Sequence, residues 1–142
     1  MRRLLCLVVL ALVVGCGGDD SNAPVVPTGN PYEGHWVGAY GDQAHSGGYV
    51  GSIDMTIDGA GNITGFILWT NTDSPLLHLV YEFTSGKVDS QGNATITCER
   101  AGQGLSHTLS LTFTRLINTM VCEGTIMWDG TPHAARADVT KQ

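Results

Sequence analysis

From Tyr32 onward, apolar and polar positions alternate with a period of two. Tyr49, Gly51, Ile53, Met55 and Ile57 share one face, while Val50, Ser52, Asp54, Thr56 and Asp58 share the other. This is the pattern of a strand with one side buried. Asp58-Gly59-Ala60-Gly61-Asn62 then supplies the residue types that tolerate positive φ in a tight turn. The spacing predicts a returning strand over 63–70 and further strands over 77–84, 94–100, 107–115, 120–128 and 133–140, with an opening strand over 34–40. That makes eight strands, separated by turn-forming clusters such as Ser90-Gln91-Gly92-Asn93, Gly102-Gln103-Gly104 and Asp129-Gly130-Thr131-Pro132. No segment carries a helical period. Short connections between consecutive strands predict an all-β fold, a small antiparallel up-and-down β-barrel of about eight strands, with a flattened sandwich as the alternative. Residues 32–142 form this one domain.

The start of the chain follows a different pattern. Met1-Arg2-Arg3 is basic, and Leu4 to Val14 is an unbroken apolar run of eleven residues counting Cys6. Such a run is too short to span a bilayer core, which needs roughly 20 residues, and has the make-up of a secretory signal peptide. Its end, Val13-Val14-Gly15-Cys16, resembles the lipobox of bacterial lipoproteins. The resemblance implies cleavage after residue 15 and lipidation of Cys16 with fatty acyl (palmitate-type) chains. It also implies a permanent anchor in the cell envelope, since each buried methylene contributes about 0.8 kcal/mol. In enterobacterial members of that class an Asp after the cysteine marks retention in the inner membrane. Gly17 stands there, so the implied destination is the outer membrane. Residues 16–31 (CGGDDSNAPVVPTGNP) then read as the lipidated cysteine and a flexible tether.

Composition narrows the function classes. Nineteen glycines in 142 residues argue against a helical bundle. The chain holds 7 Lys and Arg against 13 Asp and Glu. Removing residues 1–15 takes away Arg2 and Arg3, which leaves 5 − 13 = −8. The remaining cations are scattered, so nucleic acid is not an expected partner. An acidic body also predicts that membrane contact runs through the lipid alone.

Gly34-His35-Trp36 in the opening strand resembles the Gly-x-Trp signature of lipocalins and avidins, and Gly59 to Phe66 (GAGNITGF) resembles the second hairpin of the avidins. The resemblance covers about 35 residues and implies a lipocalin-like barrel with a tryptophan closing one end. It does not extend to biotin: where avidins carry an asparagine and a serine, this chain has Gly38 and Asp42.

Cys98 and Cys122 remain once Cys6 and Cys16 are set aside. An even pair in an oxidising envelope predicts a disulfide, closing a loop of about 25 residues for roughly 3 kcal/mol. A strict meander makes these strands next-nearest neighbours, with one strand between them, which strains the expectation because bridged Cα atoms lie within about 7 Å.

The chain carries no recognisable catalytic constellation. His35, His45, His78, His107 and His133 form no metal-ligand spacing, no Gly-x-Ser-x-Gly elbow occurs, and Asp58 to Asn62 lacks the ligand pattern of a calcium loop. The expectation is a non-enzyme with no metal and no cofactor. Trp36, Trp69 and Trp128 share faces with glycines and apolar residues. They read either as core filling or as the aromatic lining of a ligand pocket in the barrel. The expected role is binding of a small, partly apolar ligand in the barrel. The alternative is a solid-cored interaction lipoprotein that contacts another envelope protein.

Overall fold

A computed structural model of the chain describes residues 28–45 and 49–142. The segments expected to be a signal peptide (1–15), a lipidated Cys16 and, up to residue 27, a tether lie outside the described residues. Eight strands follow one another: β1 (Gly34–Asp42), β2 (Tyr49–Ile57), β3 (Ile63–Asn71), β4 (His78–Val88), β5 (Asn93–Arg100), β6 (Ser106–Leu116), β7 (Thr119–Trp128) and β8 (Thr131–Lys141). Each pairs antiparallel with the next, and β8 returns to β1 from Trp36↔Lys141 to Asp42↔Ala135, closing the barrel. The up-and-down barrel is therefore the architecture, and the sandwich alternative falls away. Closure leaves no unpaired strand edge to template aggregation.

Period-two alternation is what turns the sheet into a barrel with a dry inside. Trp36 of β1, Ile53, Met55 and Ile57 of β2, Ile67 of β3, Val88 of β4, Ile96 and Cys98 of β5, Leu109 of β6, and Met120 and Cys122 of β7 are all fully buried, with Ala137 and Val139 of β8 beside them. Each large aliphatic side chain so buried contributes about 1.5–3 kcal/mol. β4 runs past the predicted end at Thr84. A bulge between Phe83↔Cys98 and Ser85↔Thr97 inserts one residue, which shifts the alternation so that Val88 points inward. The glycines that neighbour inward tryptophans do not leave a void. A Cβ on Gly38 would lie 2.0 Å from the Asp138 carbonyl oxygen, and one on Gly124 2.0 Å from that of Ser110. The adjacent strand's backbone occupies that space.

The Cys98–Cys122 disulfide expected from sequence is corrected: both are free, buried thiols. Cys98 pairs across β5–β6 with His107, whereas Cys122 pairs across β6–β7 with Phe113. Six residues of β6 separate those partners, about 20 Å along a strand. Parity correctly puts both sulfurs inside, but at opposite heights of the barrel.

The two ends differ. One carries the β2–β3, β4–β5 and β6–β7 connections, all short. Asp58 and Asp89 organise two of them alike. The Asp58 carboxylate accepts from the backbone N–H of Ala60 and Asn62, and that of Asp89 from Gln91 and Asn93, at 2.8–2.9 Å. Residues 29–31, assigned to the tether by sequence, are pinned here. Asn30 donates its backbone N–H to the Gly59 carbonyl at 2.9 Å and its side-chain amide to that of Val88 at 3.0 Å. We call this the closed end. The opposite, loop-bearing end carries residues 43–45, 72–77, 101–105 and the Asp129-Gly130 turn.

Candidate functional site

The three tryptophans that sequence grouped together are divided between the ends. Trp36 is wholly buried at the closed end. Its indole N–H donates to the Tyr32 carbonyl at 2.8 Å, and the Tyr32 hydroxyl donates to the Phe113 carbonyl at 3.1 Å. From outside, Arg115 and Lys141 each stand 5.7 Å from the Trp36 ring centroid, a cation–π cap on the plug.

Trp69 and Trp128 meet at the loop-bearing end, around a histidine that sequence reading did not single out. The ring of His45, carried by the β1–β2 connection, stacks on Trp69 at 4.8 Å and meets Trp128 edge-on at 4.5 Å and Tyr81 at 5.6 Å. His107, the second residue of β6, lies nearly parallel to Trp128 at 3.8 Å and 5.8 Å from Tyr81. Gly51 makes the room for Trp69, since a Cβ there would lie 2.9 Å from the indole.

Asp42 holds this assembly from below. Its side chain has no solvent exposure and that of His45 only 10%. One carboxylate oxygen accepts from the His45 backbone N–H at 2.9 Å and its ring Nδ1 at 3.1 Å, and the other accepts from the Tyr40 hydroxyl at 3.0 Å. With Nδ1 donating, the neutral ring accepts at Nε2 from the Tyr81 hydroxyl, 3.2 Å away. Burial pushes the Asp42 carboxyl up. The His45 ring and Tyr40 hydroxyl outweigh it and hold Asp42 below the ordinary carboxylate value. Burial, then the neighbouring Asp42 charge, raises the Tyr40 phenol well above its usual value. The same two causes push the Cys98 thiol up to about 12. Burial followed by Asp138 does the same to Cys122. Both thiols are thus poor nucleophiles.

His107 is 6% exposed, and its Nε2 is buried without a partner among the described residues. Burial lowers its pKa, while a backbone hydrogen bond with Met127 pulls the other way. Nε2 itself faces no hydrogen-bonding group among the described residues. Such an atom is costly to bury, by about 1–3 kcal/mol.

The Asp42–His45–Tyr81 sequence has the order of a carboxylate–imidazole–hydroxyl relay. The Tyr81 ring, however, is buried against Trp128 and His107. One open depression, of about 500 Å³, lies on the outer wall over β7, β8 and β1 and is lined by Gln43, Glu123, Ala134 and Arg136. A second, of about 430 Å³, lies at the closed end beside Arg115 and Lys141. Among the described residues no group of three or more metal-ligating side chains comes together. His35 and His78 are exposed, as their strand faces predict.

Two sequence signals pointed to the missed residues. His107 and Tyr81 occupy apolar-phase positions in their strands, and His45 follows Asp42 by three residues at a strand end.

No protein-family model matches the chain, and no curated protein sequence matches it. A de novo designed fluorescence-activating β-barrel is similar in structure, with a TM-score of 0.50 at 13% sequence identity, over 82% of this chain and 99% of that one. At that identity the likeness concerns the fold alone. What it establishes is a small closed antiparallel barrel.

Proposed function

We propose that this protein is a lipid-anchored lipoprotein of the bacterial envelope, held at Cys16 and placed in the outer membrane. On this reading it works without catalysis, by binding a small, partly apolar ligand at the loop-bearing mouth of the barrel. The observation that carries the binding reading is the buried, unpartnered Nε2 of His107 beside the His45–Trp69–Trp128–Tyr81 stack. Deeper in the barrel, hydrocarbon side chains occupy the interior, so the ligand is small and sits at the mouth. A donor group on it would satisfy Nε2, and its apolar part would meet the aromatic faces. The enclosed Tyr81 hydroxyl supports a role without catalysis.

Exposed Leu76, Leu77 and Leu105 surround the same mouth. They favour a second reading, in which the end docks an envelope protein. Native mass spectrometry of protein purified from its own envelope separates the two. An added mass that is lost on denaturation, and that His107→Leu abolishes, supports ligand binding. A bare mass with crosslinks from the 72–77 and 101–105 loops supports the second reading, and a bare mass without crosslinks overturns both. The anchor is tested separately: Cys16→Ser should move the protein out of the membrane fraction, and persistence there after a high-salt wash would sink that part.

A further inference from the structure

We propose that the closed end of the barrel is a docking surface for an anionic lipid bilayer, with Leu116 and Ile117 entering the interface and Arg115 and Lys141 meeting lipid phosphates. The proposal rests on the lipid-anchor reading, and it revises the expectation that the acyl chains are the sole membrane contact.

Four observations meet at this end. The β6–β7 connection is Ile117-Asn118, and it presents Leu116 at 68% exposure and Ile117 at 84%. Ile117 sits at φ 50°, a region that suits glycine or asparagine and strains a β-branched residue. An apolar side chain kept at a strained and solvated position contributes nothing to the isolated fold.

Beside the tip stand Arg115 and Lys141, neither of them paired with a carboxylate among the described residues. They hold carbonyl oxygens instead: Arg115 that of Ile117 at 3.0 Å and that of Pro31, Lys141 that of Glu33 at 2.8 Å. Together they flank the groove of about 430 Å³, whose lining also includes Glu33.

The charge of the described chain is unevenly spread. Lys87, Arg115 and Lys141 balance Glu33, Asp58 and Asp89 at the closed end. The rest of the barrel sets Arg100 and Arg136 against eight acidic residues, 2 − 8 = −6. The closed end is the face that an anionic surface repels least.

Lastly, the chain enters the barrel here, where Asn30 binds the β2–β3 turn. Residues 17–27 can span at most about 40 Å. An anchor at residue 16 therefore delivers this end first and keeps it at high local concentration. Two apolar side chains would not recruit a free protein to a bilayer, but they can orient a tethered one.

The test uses the chain from residue 17 with a histidine tag replacing residues 1–16, held on vesicles by a nickel-chelating lipid. This makes the outcome independent of natural lipidation. A polarity-sensitive fluorophore is placed at Asn118→Cys near the tip, and at Gln103→Cys at the loop-bearing end as the comparison. On phosphatidylcholine vesicles containing phosphatidylglycerol, the probe at 118 should shift to the blue and resist a water-soluble quencher, while the probe at 103 should do neither. Adding Leu116→Ser with Ile117→Asn should abolish the shift while the barrel stays folded. An unshifted probe at 118, equal shifts at both sites, or a shift that survives the double substitution would overturn the docking surface. An equal shift on pure phosphatidylcholine would overturn the part given to Arg115 and Lys141. Failure of the natural anchor shows separately, as the absence of acyl mass on Cys16.

Discussion

At the closed end, both side-chain donors of the plug reach backbone: the Trp36 indole and the Tyr32 hydroxyl donate to carbonyls. At the loop-bearing end the same barrel is finished with side chains. Asp42, Tyr40, His45 and Tyr81 satisfy one another, and His107 keeps one atom unsatisfied. Backbone carbonyls are fixed by the strand ladder, so the first arrangement, the plug itself, is rigid. Side-chain networks titrate and re-pair, so the second is the part of the barrel that can respond to a ligand or a proton. The contrast separates the plugged end from the proposed binding end, and it can be broken experimentally.

The largest expected effect lies at the plug. Trp36→Ala should lower the unfolding free energy by about 3–5 kcal/mol, the range for truncating a fully buried aromatic. Trp128→Ala, at a half-buried position, should cost about 1–2 kcal/mol. Urea titrations of both variants check the ratio. Equal losses would mean that the loop-bearing end is as structural as the plug.

Asp42→Ala comes next. It leaves the Tyr40 hydroxyl and the His45 ring N–H without their acceptor, at a cost of about 2–3 kcal/mol. It should also release the His45 ring from Trp69, seen as a change in tryptophan fluorescence. Asp42→Asn, which keeps an acceptor oxygen, should recover part of the loss.

The strands were legible in sequence because alternation is a local signal: Leu109, Leu111 and Phe113 fall on one face wherever β6 ends up. Closure was not local, since it depends on β8 finding β1 about a hundred residues away. The bulge at Thr84 escaped because one inserted residue leaves no compositional trace, and Val88 consequently read as outside its strand. The cysteines show the limit of parity, which assigns a side of the sheet and says nothing of height. The loop-bearing cluster escaped for a related reason. Asp42, Trp69, Tyr81, His107 and Trp128 come from five strands, and only the barrel's register brings them level. Of the residues singled out from sequence, Trp69 and Trp128 belong to this cluster and Trp36 does not.

The next effect is smaller and has a sign that depends on pH. Burial lowers the His107 pKa below the unfolded value of 6.5, so the unfolded chain binds that proton first. Stability should therefore fall as pH drops below 6.5. Asp42 acts in the same direction lower down: its folded pKa lies below 3.8, so its contribution is present above that value and is lost as pH falls through the folded pKa. Asp58, Asp89 and Asp138 share the lower window, each held down by side-chain hydrogen bonds. Only the upper step is specific to the loop-bearing end. His107→Leu should remove that step from the pH dependence of the urea midpoint. At neutral pH it should raise stability by about 1 kcal/mol, because relief of the orphaned nitrogen outweighs the lost stack on Trp128. A destabilised variant that keeps the upper step would show that Nε2 is satisfied in solution.

The smallest effect compares two hairpin tips, one at each end. Asp129-Gly130 at the loop-bearing end takes φ 47° and 77°, with residue types suited to left-handed backbone. Ile117-Asn118 at the closed end puts a β-branched residue at φ 50°. Replacing Ile117 by Asn should relieve that strain and stabilise the isolated barrel by about 1 kcal/mol. The mirror change, Gly130→Ile, should destabilise it by a similar amount or more. Thermal unfolding of both variants measures the pair. A gain at 117 means that the chain keeps an apolar tip at the expense of its own stability. That tip stands at the closed end, beside a plug whose two side-chain donors both have partners, so its cause is sought outside the barrel. A neutral Ile117→Asn would return the tip to an ordinary turn and leave the loop-bearing end as the one place where this fold departs from its own most stable form.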